Sequence, residues 1–200
     1  KVTKVEHHPA VAVGDAGAFM ARLRQQAGMG ARALEFVILT ATRSGEVRGA
    51  TWGEFDLAAA LWVIPADRMK MKIEHRVPLS SAAVKLLQGL PRIEKNNLVF
   101  SAPRGGQLSD MTLTAVMRRM KVDAVPHGFR STFRDWASER TNYPRDVAEM
   151  ALAHAIGDKV EAAYRRGDLF EKRRRMMASW AAFLEKVEAT GEVIPINKAA

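Results

Sequence analysis

The chain contains no cysteine, and this absence excludes several kinds of chemistry. Disulfides, thiolate zinc sites, iron–sulfur clusters and cysteine nucleophiles all need the thiol group. The absence also fits a reducing cytosol, which is the location we expect. No apolar run approaches the roughly 20 residues of a membrane-spanning helix, and no signal peptide opens the sequence. The sequence therefore predicts no partnership with a membrane.

Motifs for nucleotides and metals are missing as well. The chain has neither Gly-x-x-x-x-Gly-Lys-Ser/Thr nor Gly-x-Gly-x-x-Gly, the motifs of phosphate-binding loops and dinucleotide-binding folds. Its histidines show no metal-ligand spacing, and its carboxylates do not cluster as they do in nucleases that hold two magnesium ions. The sequence therefore predicts no cofactor and no metal, and any reaction on a phosphate would proceed without one.

The overall composition is that of a folded domain with a basic excess. Hydrophobic residues make up 48% of the 200 residues and charged residues 26%, which excludes a disordered or low-complexity chain. Lysine and arginine total 31 against 22 aspartate and glutamate, a net charge of +9. The excess is spread over both halves of the chain, which favours a polyanionic partner such as nucleic acid. On composition alone, a protein that merely happens to be basic is an equal alternative.

Hydrophobic periodicity predicts a mainly α-helical fold with a small antiparallel sheet. Apolar residues recur at a spacing of three to four along most of the chain. Helices are predicted over residues 16–26, 31–41, 45–51, 80–90, 111–121, 127–139, 145–152, 158–165 and 169–187, with Ser44 and Ser109 as caps. Strands are predicted over residues 61–65, 75–79 and 98–100, with a basic hairpin tip at 69–74.

The same pass along the chain predicts three segments. Residues 1–15 are interpreted as a linker, residues 16–188 as one domain, and residues 189–200 as a tail. Because the sequence does not start with Met, we expect the chain to be an excised domain. The tail carries the short apolar stretch Val193-Ile194-Pro195-Ile196. It is predicted to add to an edge of the sheet, and a frayed terminus is the alternative.

The segment after Pro126 contains the first candidate residues for chemistry. His127 and Arg130 are three residues apart at the start of a predicted helix, so they share one face. Arg130 can donate two parallel hydrogen bonds to phosphate oxygens. Phe129 and Phe133 lie on another face and are predicted to pack in the core. The alternative is that His127 merely starts the helix and Arg130 makes a surface ion pair.

Two further candidates lie near the predicted sheet. Arg43 follows an apolar helix, where a buried scaffold changes to a polar turn, and this placement suits a phosphate ligand. Glu46 can hold Arg43 or cap the next helix. Lys70 and Lys72 lie at the hairpin tip, where a mobile lysine can protonate a leaving oxygen. The alternatives are an ordinary surface arginine and a solvated turn.

The chain has only two tyrosines. Tyr143 precedes Pro144, a context typical of packing or capping. Tyr164 lies between small residues and next to Arg165 and Arg166, whose charges favour phenolate character. Tyr164 is therefore the better candidate nucleophile, with an amphipathic interface tyrosine as the alternative.

The order of these residues carries more information than any one of them. The order Arg43, hairpin lysine, His127-x-x-Arg130, His154 and Tyr164 resembles the active-site order of the tyrosine recombinases, the phage integrase family. The resemblance extends over residues 14–188 and is greatest to integrases of prophages and genomic islands. It rests on Leu39-Thr-Ala-Thr-Arg43-Ser-Gly-Glu46, Trp62-Val-Ile-Pro65, Pro126-His-Gly-Phe-Arg-Ser-Thr-Phe-Arg-Asp-Trp136 and Glu161-Ala-Ala-Tyr164.

The resemblance implies the α+β catalytic-domain fold of that family and a role for each residue. Arg43 and Arg130 would hold the scissile phosphate, and Glu46 would support Arg43. Lys70, favoured over Lys72 by its distance from Val77-Pro78-Leu79, would be the general acid. His127 would act as base or phosphate ligand, and His154 would donate a hydrogen bond to the phosphate. Tyr164 would attack it and form a 3′-phosphotyrosyl link.

The implied function is integration or excision of a mobile element in a bacterial cell, on double-stranded DNA at the nucleoid. We expect a homotetramer on DNA and a monomer for the isolated domain, with residues 1–15 leading from missing DNA-binding domains. One departure is Leu152-Ala153-His154, where the family usually has glycine or serine before the histidine. A DNA topoisomerase of the related type IB and a non-catalytic DNA-binding module are the alternatives.

Overall fold

The computed structural model describes residues 9–94, 96–154 and 167–187. Within these ranges the chain forms eight α-helices and one three-stranded antiparallel sheet, so the predicted architecture is confirmed. Tyr164, the helix predicted over 158–165 and the tail from 189 lie outside the described residues. The helices are Ala16–Arg24 (α1), Met29–Thr40 (α2), Ser44–Arg48 (α3), Ser81–Gln88 (α4), Thr112–Arg119 (α5), Gly128–Glu139 (α6), Arg145–Ala151 (α7) and Phe170–Leu184 (α8).

Helix α2 lies at the centre of the core. Every residue from Ala33 to Thr40 is buried, and the helix contacts α1, α3, α4, α5 and α8. A helix that is buried on all sides needs neighbours on all sides, and these helices supply them. Trp180 of α8 donates from Nε1 to the Ile38 carbonyl over 2.8 Å. Within the described ranges, no helix combines the length and the apolar content needed to cross a bilayer.

The sheet consists of Phe55–Asp56 (β1), Leu61–Ile64 (β2) and His75–Pro78 (β3) in that spatial order. Strands β2 and β3 confirm the predicted pair to within one residue. The third strand predicted at 98–100 is wrong. Leu98 forms only an isolated bridge with Thr51, and β1 occupies the third position instead. A strand of two residues is too short to show alternation, which is why the sequence did not indicate β1.

Two predicted helix caps are also wrong. Helix α3 begins at Ser44, so its cap is Arg43, whose backbone N–H donates to Oε2 of Glu46 over 2.8 Å. This contact is half of a capping box and places Arg43 at the helix start. Helix α5 is capped by Met111, and Ser109 instead contacts the Thr112 hydroxyl over 2.9 Å.

The segment that leads into α1 packs along the start of α6. The Val11 carbonyl accepts a hydrogen bond of 2.6 Å from the Thr132 hydroxyl, and the Pro9 carbonyl accepts one of 3.1 Å from Val125 N–H. A Cβ on Gly128 would lie 2.2 Å from the Pro9 carbonyl oxygen, so only glycine fits there. This approach fixes the helix start that follows His127. The boundary of the linker at residue 15 stays a prediction.

Candidate active site

Arg130 lies at the centre of a polar cluster and is only 4% exposed. Its Nη1 donates to the Ala41 carbonyl over 2.6 Å, and its Nη2 donates to the Leu152 carbonyl over 2.6 Å. Nη2 also lies 3.0 Å from Nε2 of His154. The Nε of Arg130 is buried with no hydrogen-bond partner among the described residues. The guanidinium is therefore fixed between the ends of α2 and α7.

Both carbonyls that hold Arg130 belong to helix C-termini. Ala41 ends α2 with a φ of 53°, and Ala153, with a φ of 48°, follows Leu152 at the end of α7. Carbonyls at a helix C-terminus lack intrahelical partners and carry the negative end of the helix dipole. They are suitable acceptors for a cation, and the left-handed residues turn the chain away so that the carbonyls stay accessible to it.

Arg43 is held by Glu46 in the first turn of α3. Nη1 of Arg43 donates to Oε1 of Glu46 over 2.8 Å, in addition to the backbone contact to Oε2. The backbone carbonyl of Glu46 accepts a hydrogen bond from Arg68, which also pairs with the Glu54 carboxylate. Trp62 of β2 donates to the same carboxylate over 2.8 Å. These contacts join α3 to the sheet, so Arg43 stands on a rigid support.

The two arginines are electrostatic neighbours. Burial and then the charge of Arg43 lower the pKa of Arg130 to about 10, while Glu46 and Glu149 oppose this change. Arg130 therefore stays charged at neutral pH. Two adjacent guanidinium groups repel each other unless an anion lies between or beside them. Because the side chain of Arg43 is still 26% exposed, this part of the surface can bind such an anion.

His154 connects Arg130 to a carboxylate. Its Nδ1 lies 2.6 Å from Oε2 of Glu149, whose Oε1 is 3.0 Å from Nε of Arg134. The sequence analysis missed Glu149. Its i,i+4 spacing from Arg145 was a usable signal for an ion pair, and these two groups lie 3.9 Å apart. Its contact with His154 crosses the end of α7, where helical spacing no longer predicts neighbours.

His75 of β3 is a second residue that the sequence analysis did not assign to the site. Burial and the charge of Arg173 lower its pKa to about 4, with a smaller contribution from Arg130, while Glu46 and a hydrogen bond to the backbone of Ala151 raise it. His75 is therefore neutral at neutral pH. It adds no charge of its own beside Arg173 and Arg130.

The start of α8 is fixed against the same strand. Arg173 is buried and donates from Nε and Nη2 to the carbonyl and carboxylate of Asp168, each over 2.7 Å. Its Nη1 donates to the Arg76 carbonyl over 2.6 Å. The guanidinium of Arg76 lies over the ring of Phe170, 4.4 Å from its centroid. These contacts place Arg173 and Phe170 against β3, next to His75.

The remaining predicted residues lie in different settings. Lys70 is exposed in the connection between β2 and β3 and has no hydrogen bond or ion pair to a described residue. Lys72, with a φ of 56°, donates from Nζ to the Asp67 carbonyl over 2.8 Å.

His127 is exposed at the N-terminal cap of α6. The Tyr143 hydroxyl lies 3.0 Å from that of Ser179 on α8. The structure therefore brings together Arg43, Glu46, Arg130 and His154, whereas Tyr164 lies outside the described residues.

The sequence is similar to those of known proteins. The model of the phage integrase family matches residues 16–168. The integrase of Enterobacteria phage P4 is 35% identical over 205 residues, which cover 92% of this chain and 47% of the phage protein. Prophage integrase IntA of Escherichia coli K12 is 38% identical over 162 residues, which cover 78% of this chain and 39% of IntA. The chain thus spans less than half the length of these relatives.

Solved structures share the fold at low sequence identity. An integrase from mycobacterium phage Brujita superimposes with a TM-score of 0.65 at 17% identity, covering 89% of this chain and 59% of that one. XerA recombinase gives a TM-score of 0.59 at 16% identity, covering 90% and 66%. A lambda integrase dimer bound to a COC′ core site gives 0.58 at 16%, covering 83% and 62%. The catalytic-domain fold implied by the resemblance is confirmed.

Proposed function

Because this chain belongs to the phage integrase family, we propose that it is the catalytic part of a site-specific DNA recombinase. It cuts and rejoins DNA strands during integration or excision of a mobile element. The observation that carries the proposal is the pairing of Arg43 with the buried Arg130, which His154 contacts over 3.0 Å. Two cations and an imidazole at one place form a binding site for a phosphate diester.

The two arginines hold the scissile phosphate. Each guanidinium can donate charge-assisted hydrogen bonds to phosphate oxygens, and these bonds strengthen as charge develops in the transition state. Both guanidinium groups are already held in position, Arg130 by two carbonyls and Arg43 by Glu46. Little reorganisation is then needed when the phosphate arrives. His127 serves as base or phosphate ligand, and His154 donates a hydrogen bond to the phosphate.

Tyr164 is the nucleophile in this proposal. Its hydroxyl oxygen gives up its proton to a base, the role open to His127, and forms a bond to phosphorus while the bond between phosphorus and the 5′ oxygen breaks. Lys70 supplies the proton that the leaving 5′ oxygen takes up. The ammonium of Lys70 is exposed and unpaired among the described residues, whereas that of Lys72 is bonded to Asp67, and this difference favours Lys70. The protein–DNA ester preserves the bond energy for rejoining, so neither a metal nor a cofactor takes part.

The proposed partner is double-stranded DNA, in agreement with the net charge of +9. Lambda integrase has been seen as a tetramer bound to a Holliday junction. By this analogy we propose a tetramer on DNA, a monomer for the isolated domain, and a place at the nucleoid of a bacterial cytoplasm.

Covalent capture tests the proposal. The chain is incubated with a pool of nicked DNA duplexes randomised around the nick, so that cleavage releases a short fragment and traps the protein on DNA. We expect a denaturation-resistant adduct that is lost in Tyr164→Phe and kept in Tyr143→Phe. Tyr143 is the matched control because its hydroxyl contacts Ser179. An adduct that survives in Tyr164→Phe and disappears in Tyr143→Phe would overturn the assignment.

A second assay separates recombination from its closest alternative. A captured sequence is placed twice in one supercoiled plasmid, and the products are separated by size. Exchange between the two copies supports a recombinase. Relaxation without exchange would indicate a topoisomerase, and binding without an adduct would indicate a non-catalytic DNA-binding module.

A further inference from the structure

We propose that Glu149 is a positioning residue for His154: it selects the Nδ1–H tautomer and directs Nε2 of the imidazole to the phosphate site. The proposal rests on the proposed function for the identity of the phosphate. Two contacts of the His154 ring carry it. Nδ1 of His154 lies 2.6 Å from Oε2 of Glu149, and Nε2 lies 3.0 Å from Nη2 of Arg130.

The hydrogen-bonding roles follow from the partners of the two ring nitrogens. A guanidinium can only donate, so Nε2 of His154 must accept from Arg130. A carboxylate can only accept, so Nδ1 must carry the proton and donate it to Glu149. His154 is therefore a neutral imidazole with its proton on Nδ1. The carboxylate–histidine pair fixes both the tautomer and the orientation of the ring, as such pairs do at metal sites and in catalytic triads.

Glu149 is itself well supported. It belongs to α7, whose residues Val147, Ala148 and Ala151 are buried. Its side chain is 19% exposed, and its Oε1 lies 3.0 Å from Nε of Arg134 on α6. Oε1 is buried without a hydrogen-bond partner among the described residues, so its contact with Arg134 is an ion pair only, and rotation away from His154 would break the hydrogen bond at Oε2.

A bound phosphate requires a different protonation of His154 at Nε2. Phosphate oxygens accept hydrogen bonds, so Nε2 can bond to one only when it carries a proton. Among the described residues, the charged groups facing His154 are Arg130 from α6 and Glu149 from α7, with Arg134 and Arg145 on the far side of Glu149. The negative charge of Glu149 stabilises the imidazolium that donates from Nε2 to the phosphate. Glu149 therefore contributes both an orientation and a charge.

The imidazole itself provides a test that needs no activity. Long-range ¹H–¹⁵N spectra of the full 200-residue chain distinguish a protonated ring nitrogen from an unprotonated one, and His154→Gln identifies the signals of His154. We expect a protonated Nδ1 in the unmodified chain and in Glu149→Gln, which keeps an acceptor oxygen. In Glu149→Ala we expect a mixture of tautomers. A protonated Nε2 and bare Nδ1 in the unmodified chain would overturn the proposal.

Kinetics supply the second test. Single-turnover cleavage is measured at saturating concentration of a nicked duplex recovered by covalent capture. We expect Glu149→Ala to be slower by about 10- to 100-fold, the size typical for residues that orient a functional histidine. The isosteric variant Glu149→Gln keeps an acceptor for Nδ1 and loses the negative charge, so it should be slowed less than Glu149→Ala. Glu139→Ala, which removes an exposed carboxylate from α6, is the matched control and should cleave normally.

A double variant separates positioning from a structural role. If Glu149 acts through His154, Glu149→Ala should add no further loss in a His154→Ala background. Equal losses in both backgrounds would mean that Glu149 only supports the fold, and the proposal would be wrong. Failure of the unmodified chain to form any adduct would instead contradict the proposed function, and the tautomer measurement would still decide the pairing of Glu149 with His154.

Discussion

Arg43 lies close enough to the buried Arg130 for its charge to act on that guanidinium, although 86 residues separate the two in the chain. Burial, followed by the charge of Arg43, lowers the pKa of Arg130 to about 10. The two groups keep their positions because each has its own acceptors, the Glu46 carboxylate for Arg43 and two helix-terminal carbonyls for Arg130. A pair of cations held in this way is ready to bind an anion without rearrangement.

Alanine at Arg43 or Arg130 should act mainly on the transition state. Loss of one donor to a phosphate that gains charge costs about 3–4 kcal/mol of barrier. We expect cleavage slower by about 100-fold or more in single-turnover measurements, with a much smaller change in DNA affinity. Arg175→Ala, which removes an exposed arginine from α8, is the control. Near-normal cleavage by Arg130→Ala would contradict this role.

Ala153→Gly should stabilise the protein. Ala153 has a φ of 48°, a left-handed conformation that costs a residue with a Cβ about 1–2 kcal/mol and costs glycine almost nothing. After allowing for the greater freedom of glycine in the unfolded chain, we expect a gain of about 0.5–1 kcal/mol in the free energy of unfolding. Denaturant unfolding with an unchanged m value checks this expectation.

Ala115→Gly is the matched control for that substitution. Ala115 lies within α5, so glycine there should cost about 1 kcal/mol. The two variants remove the same methyl group and should shift stability in opposite directions. Equal destabilisation by both would show that the left-handed conformation at Ala153 carries no strain.

His75 should make stability depend on pH. Its pKa is lowered from 6.5 to about 4 in the folded protein, so between these values the unfolded chain binds more protons. The contribution is fully present above pH 6.5 and is lost as pH falls to about 4, by up to about 3 kcal/mol. We expect His75→Gln to show a flatter decline of unfolding free energy over this range. Parallel curves for the two proteins would rule out His75 as the cause.

Cleavage should continue in the presence of EDTA. The sequence contains no carboxylate cluster for magnesium, and no three His, Asp or Glu side chains among the described residues are arranged to hold a metal ion. Arginine, lysine and histidine supply the charge and protons that a metal would otherwise provide. Adduct formation with and without EDTA checks this expectation. Loss of cleavage that magnesium restores, with DNA binding unchanged, would contradict it.

Local patterns were enough to predict most of the scaffold. Helices α1, α2 and α6 follow from apolar residues at a spacing of three to four, and Phe129 and Phe133 are buried as expected. Strands β2 and β3 follow from alternation and β-branched residues. The two-residue strand β1 and the cap at Arg43 could not be predicted in this way, because both depend on partners that the local pattern does not reveal.

The sequence by itself determined the elements, the inventory of chemical groups and their order along the chain, since these depend on residue type and spacing alone. Only the tertiary structure decided that Glu149 is the partner of His154 and that His75 lies buried near Arg173 and Arg130. Those relationships are set by how helix ends and strands pack together. Contacts across such junctions have no fixed sequence separation, and burial changes the charge of a group without changing its identity.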